Sequence, residues 1–253
     1  MENCGFGWQN FVLIGSLSAS SQHAQLPVTN LKLPQGAASL AWRAIGDTVS
    51  LVLRAVGAYR VVSVHRTNLT ANAVLRVTLF RGDVAIIEAT SDGTAPVNGQ
   101  CVIVLPRAYS GDQMRLDITD HDNPDGFLSI PLCYAGPLFQ PARNYAAAST
   151  ENVSATALET TTMAGAEFVA PQYVQRRLTI AHQSLGDDDV SALRSLQIAA
   201  ASGANTLFIP NPGAAPQNVT KAALYGRAVM NEISNPFGAA DRHATTIDIK
   251  ERL

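Results

Sequence analysis

Five oxygen-bearing side chains crowd one short stretch of the chain: Asp117, Asp120, Asp122, Asn123 and Asp125. A hard cation takes about six to eight oxygen ligands, and a loop rich in Asp and Asn can supply them. The spacing departs from the calcium-loop pattern, because Pro124 falls at a ligand position and no Glu closes the loop. The expected chemistry is therefore a turn whose carboxylates meet solvent or cap nearby backbone N–H groups. Asp187-Asp188-Asp189 is read in the same spirit, as acids at a helix start, where unpaired N–H groups and the positive end of the dipole favour them.

The histidines, His23, His65, His121, His182 and His243, are scattered, and none repeats at the spacing that puts two imidazoles on one zinc. Cys4, Cys101 and Cys133 lack metal-ligand spacing and are read as buried free thiols made in a reducing cytosol. A Cys101–Cys133 disulfide depends on strand geometry. No Gly-x-Ser-x-Gly elbow and no glycine-rich phosphate loop occurs. A Ser–His–Asp triad, or a pair of glycosidase carboxylates, assembled from distant segments leaves no signature in spacing. Arg176-Arg177 is read as a sheet-surface or interface pair. No catalytic, cofactor-binding or metal-ligating residue is assigned, no cofactor is expected, and the chain is read as not an enzyme.

The elements that must position these residues are mostly strands. Leu75, Val77 and Leu79 alternate with Arg76 and Thr78, and Leu116 and Ile118 alternate with Arg115, Asp117 and Thr119. Val49–Leu53 and Val62–Val64 read as two further strands, and Phe11–Ile14 as a short early one. Turn formers separate them: Gly57, Arg81-Gly82-Asp83, Ser91-Asp92-Gly93, Tyr109-Ser110-Gly111-Asp112 and Asn123-Pro124-Asp125-Gly126. Short alternating strands without helical periods between them specify an antiparallel sandwich with Leu75, Val77, Leu79, Leu116 and Ile118 in its core.

The texture changes near Ala146. Ala146-Ala147-Ala148-Ser149-Thr150 reads as a linker or extended crossover, and a strand runs through Val174, Arg176, Leu178 and Ile180. The substantial helix starts at Asp187 and ends near Ser202, with Gly203 beyond it. Thr206–Ile209, Leu224–Ile233 and Thr245–Lys250 read as further strands. Residues 1–30 and 234–253 read as extended arms laid on neighbouring subunits.

The chain has 253 residues, of which 47% are hydrophobic and 15% charged, a balance that excludes intrinsic disorder. Its formal net charge is −2 and no basic block tracks a phosphate backbone, so nucleic acid is not an expected partner. Apolar runs such as Val102–Leu105 fall far short of a membrane span, and the N-terminus shows no signal-peptide pattern.

Two stretches carry a family resemblance. The first is Trp42-Arg43-Ala44, then an apolar strand, then His65-Arg66-Thr67-Asn68-Leu69-Thr70. The second is Arg115-Leu116-Asp117-Ile118-Thr119-Asp120, the turn Asn123-Pro124-Asp125-Gly126, then Ala135-Gly136-Pro137-Leu138-Phe139-Gln140-Pro141-Ala142-Arg143-Asn144. In this order they resemble the galactose-binding-like, discoidin-type domain of tail proteins from long-tailed phages. The likeness covers about residues 15–145 and continues more weakly through 173–230. The chain departs from that pattern at Pro131-Leu132, where a Gly-Arg pair is usual.

The resemblance implies a mainly β fold: a galactose-binding-like antiparallel β-sandwich (jelly roll) over residues 1–145, with an N-terminal arm, and a smaller β-rich α+β tail-assembly domain over 146–253, with one helix and a C-terminal arm. It implies a distal tail or baseplate protein of the virion, made in the host cytoplasm, that links the tail tube to the receptor-binding apparatus. Its partners would be tail-tube, tail-hub and receptor-binding proteins, with its own copies in a homo-oligomeric ring. The alternative is a carbohydrate-binding module that contacts a host surface glycan. Trp42 separates the two readings: as a core anchor it serves the sandwich, and as an exposed ring it would stack on a sugar.

Overall fold

The alternations read from Val74 to Phe80 and from Met114 to Ile118 are realised as paired strands with buried apolar sides. Leu75, Val77, Leu79, Leu116 and Ile118 are each at most 1% exposed. The computed structural model describes residues 2–91, 93–235, 238 and 241–252. Met1 of the expected N-terminal arm, Asp92 of the expected turn, and Pro236, Phe237, Ala239, Ala240 and Leu253 of the expected C-terminal arm lie outside the described residues. The chain divides into two compact units: Met1–Pro141 with Leu207–Ala223, and Ala142–Thr206 with Leu224–Leu253.

In the first unit the order is β1 (Gly5–Gly7), α1 (Phe11–Ile14), β2 (Ser16–Ala19), β3 (Trp42–Ile45), β4 (Thr48–His65), β5 (Val74–Arg81), β6 (Val84–Thr90), β7 (Cys101–Thr119), β8 (Phe127–Ile130) and β9 (Leu132–Gly136). The main sheet runs β2-β4-β7-β5-β6, with β9 also on β4, and β3 pairs with β8. All these pairings are antiparallel. Side chains from β3, β4, β5, β7, β8 and β9 meet in one buried cluster, so the unit is an antiparallel β-sandwich.

Several local expectations are corrected here. Phe11–Ile14 is a helical turn, because the Asn10 side chain accepts from the Val12 N–H at 3.1 Å and so caps it. Gly57 and Tyr109–Asp112 do not end strands but lie inside β4 and β7, with Gly57 opposite Gly111 and the register irregular on either side. Glycine suits this interior kink because a Cβ at Gly57 would lie 2.2 Å from the Phe11 ring. The kink splits the pairing: β5 meets only the second half of β7, and β9 only the second half of β4.

In the second unit, β10 (Thr150–Thr161) and β11 (Glu167–Leu185) form a long hairpin, followed by α2 (Asp187–Ala201). The substantial helix is thus where the sequence placed it. Next come β12 (Asn205–Ile209) and α3 (Pro216–Ala222), then β13 (Leu224–Met230) and β14 (His243–Glu251) of the second unit. β13 pairs with β14 and β14 with β11, which makes this a β-rich α+β unit. Ala146–Thr150 is a turn that leads directly into β10, not a free linker.

Leu207–Ala223 belong to the first unit although they follow residue 146. Leu207, Phe208 and Ile209 pair with Gly7, Phe6 and Gly5. The expected terminal arms are also replaced by integral structure. Cys4, Phe6 and Val12 are fully buried, and the nearly buried Arg60 donates to both carboxylate oxygens of Glu2, at 2.9 and 2.8 Å. At the other end, β14 is an interior strand between β11 and β13, and Ile247 and Ile249 are fully buried. Burying one such side chain contributes about 1.5–3 kcal/mol, enough to hold the segment in the sheet.

Candidate functional site

The Asp-rich stretch is a latch between two turns. Asp117 stays in β7, where it accepts from the Ser50 hydroxyl and from Arg115 Nε at 2.9 Å. Buried Asp120 accepts from the Thr70 N–H at 2.8 Å, the Thr70 hydroxyl, and Asn123 Nδ2 at 3.1 Å. Asn72 donates to Asp122 at 2.6 Å and Asn68 to Asp125 at 2.8 Å. Asn123 completes an Asx turn by accepting from the Asp125 N–H at 3.0 Å. Each carboxylate thus faces its own donor. Among the described residues no group of three or more His, Cys, Asp or Glu side chains converges as a metal site. Beside the latch, His121 and Asp47 form an exposed pair; their hydrogen bond raises the His121 pKa and lowers that of Asp47.

Trp42 is fully buried and its Nε1–H donates to the Ser21 carbonyl at 3.1 Å. The ring is therefore a core anchor and is closed to sugar. A groove of about 360 Å³ lies near the latch, lined by small residues including Asn72, Ala73, Ser91 and Thr94. Its lining contains no aromatic face.

Three polar side chains meet on the face of β4 opposite Val62 and Val64, beside the α3 segment. Ser63 Oγ lies 2.8 Å from His65 Nε2, and His65 Nδ1 lies 3.2 Å from Gln100 Oε1. The order imitates a serine hydrolase relay, but Ser63, His65 and Gln100 are all buried, at 4% exposure or less. A neutral amide stands where a carboxylate would stabilise an imidazolium, and burial draws the His65 pKa down to about 4. Gln100 Nε2 donates to the carbonyls of Thr220 and Ala223, at 2.6 and 3.0 Å. The trio is a structural tie between strands and the α3 segment. A reader of sequence had no signal for it, since Gln100 lies 35 residues beyond the Ser63–His65 pair of β4.

The cysteines are free and buried. Val64 pairs with Cys101 on one side and Cys133 on the other. The two thiols are thus two strand spacings apart, about 9–10 Å between Cα atoms, which closes the disulfide option. Burial pushes their pKa values up to about 11 and about 12.

In the second unit two of the three acids take separate tasks. α2 carries all three acids in its first turn, as expected, but its N-cap is Gly186 and no side chain caps it. Buried Asp189 instead accepts from the Ala142 N–H at 3.2 Å, and Asp187 faces His243 Nε2 at 3.1 Å. Arg176 pairs with Glu151 at 2.9 Å and Arg177 with Asp248 at 3.5 Å, as a sheet-surface doublet.

The β10–β11 hairpin outruns its sheet. β14 pairs with β11 only from Arg177 onward, so residues 154–174 form a two-stranded ribbon on their own. It extends roughly 25 Å at about 3.3 Å per residue. Strand alternation puts Leu158 with Phe168 and Tyr173 on one face, and Val153 with Val169 and Val174 on the other. Both faces are open: Phe168 is 63% and Val169 60% exposed. Sequence reading missed β10 and the first half of β11. The signal was the β-branched and aromatic content on either side of Ala164-Gly165, obscured by a register shift between Thr156 and Ala157.

No family model and no curated protein matches the chain. Among solved structures, the chain is similar to the lectin domain of lectinolysin complexed with Lewis B antigen. That likeness has 10% identity and a TM-score of 0.41, covering 53% of this chain and 98% of that one. A family 32 carbohydrate-binding module from C. perfringens NanJ, in complex with galactose, shows 13% identity and a TM-score of 0.39, over 50% of this chain and 96% of that one. A chitosan-binding module from a Paenibacillus chitosanase/glucanase shows 13% identity and a TM-score of 0.41, over 51% and 99%.

Proposed function

We propose that the chain is a non-catalytic structural subunit of a larger assembly, specifically a distal tail or baseplate protein of a long-tailed bacteriophage. The β10–β11 ribbon carries the assembly reading. An isolated two-stranded ribbon is marginal in water, and this one exposes apolar side chains on both faces and unpaired backbone groups along its edges. Such a surface suits a protein that is covered by neighbours. The tail assignment is supported by the ordered motifs at Trp42-Arg43, Thr67-Asn68-Leu69-Thr70, Asn123–Gly126 and Ala135-Gly136-Pro137. The proposed partners are tail-tube, tail-hub and receptor-binding proteins in the virion. The test is immunogold electron microscopy of particles carrying the intact gene or one lacking residues 155–173. Label at the tail tip, lost or accompanied by tip defects in the deletion, supports the reading; virions without the protein overturn it.

The second reading is carbohydrate binding by a galactose-binding-like sandwich. The exposed side chains of Asn72, Asp122 and Asp125 favour it, because such groups pair with sugar hydroxyls. Lewis B antigen, galactose and chitosan, named with the solved structures above, are the probes. Chemical-shift changes confined to this latch on adding galactose would establish it.

A further inference from the structure

We infer that the ribbon of one copy docks head-to-tail on a basic rim of the sandwich of the next copy, where the strand kink and the β5–β6 turn come together. This rests on the assembly reading and names the occupant of its surface as a second copy of the chain.

The ribbon supplies one half of the complementarity. Glu159 and Glu167 are the charged side chains of residues 154–174, and no cation lies within that stretch. Neither Glu forms an ion pair among the described residues. Two ribbons laid against each other would bring these like charges together, which disfavours a ribbon-to-ribbon contact.

The rim supplies the other half. Arg54 Nε donates to Gln113 Oε1 at 3.3 Å, Arg81 donates to the Ser110 carbonyl at 2.8 Å, and Arg107 lies over the Tyr109 ring at 5.0 Å. These contacts gather three exposed guanidinium groups around the kink, and none of the three has an ion-pair partner among the described residues. Asp83 and Asp112 share the rim, with Asp112 accepting from the Gly82 N–H at 2.7 Å; three Arg against two Asp leave it at +1. Val56 and Val84 stand exposed here, at 86% and 67%. An apolar ribbon bearing two acids thus has a counterpart of apolar side chains and free cations. Because the two surfaces differ, the contact is heterologous and propagates into a ring or a filament.

Sedimentation velocity at low ionic strength tests this with the full chain and two charge reversals, E159R/E167R and R54E/R81E/R107E, each checked by circular dichroism for retained folding. The wild type should self-associate, either variant alone should associate about tenfold more weakly or worse, and an equimolar mixture of the two should regain association. If R81E disturbs the β5–β6 turn, R54E/R107E serves in its place. A monomeric wild type, variants that associate normally, or a mixture without rescue each overturn the ribbon–rim contact. The assembly reading stands or falls separately, on whether the protein sits in the virion.

Discussion

Gln100 Oε1 lies 3.2 Å from His65 Nδ1, an amide and an imidazole that hold each other beside the α3 segment. The bond selects the Nδ1–H tautomer, which leaves Nε2 to accept from the Ser63 hydroxyl. Burial draws the His65 pKa to about 4 from its ordinary 6.5. Between those values the unfolded chain takes up a proton that the fold refuses. Stability is therefore full above about pH 6.5 and falls as pH drops toward 4, by roughly 3 kcal/mol. His182, also drawn to about 4 by burial, acts in the same direction in the second unit. Urea titrations at several pH values should show this decline; a flat profile would count against a buried neutral imidazole.

Replacing Gln100 with Leu leaves His65 Nδ1 and the carbonyls of Thr220 and Ala223 to find other partners. The expected loss is about 1–3 kcal/mol per buried group left unsatisfied. Hydrogen exchange should rise in the α3 segment before the rest of the sandwich. Unchanged protection there would show that the tie carries no weight.

Leu116→Ala removes a fully buried side chain that faces the same core as Leu51 and Val77. A loss of about 2–5 kcal/mol is expected, read from denaturant midpoints. A cost below 1 kcal/mol would mean that the core closes around the cavity.

Chelators should leave the melting temperature unchanged, since Asp120, Asp122 and Asp125 each meet a protein donor. A drop with EDTA that calcium restores would sink the latch account.

No thiol should react with a maleimide in the native protein, and Cys4, Cys101 and Cys133 should all react after denaturation. Burial and the raised pKa values of Cys101 and Cys133 both suppress the thiolate. Rapid native labelling of Cys101 or Cys133 would contradict the strand order around Val64.

The alternation of Leu75, Val77 and Leu79 against Arg76 and Thr78 was legible because a strand repeats every two residues and one side must avoid water. The same logic placed α2, whose apolar Val190, Leu193 and Leu196 recur at helical spacing and are buried. What pairs with what was not legible, since hydrogen bonds between strands are made by backbone that every sequence shares. Only the tertiary structure ran Val49–Leu53 and Val62–Val64 into one kinked strand, because a glycine that ends a strand reads the same as one that lets Phe11 approach. Only it set Cys101 and Cys133 on opposite sides of Val64, and brought Gln100 to His65. The ribbon lies at the boundary of the two. Its apolar residues were on view in the sequence, but their exposure depends on where β14 stops pairing, and that is a property of the sheet.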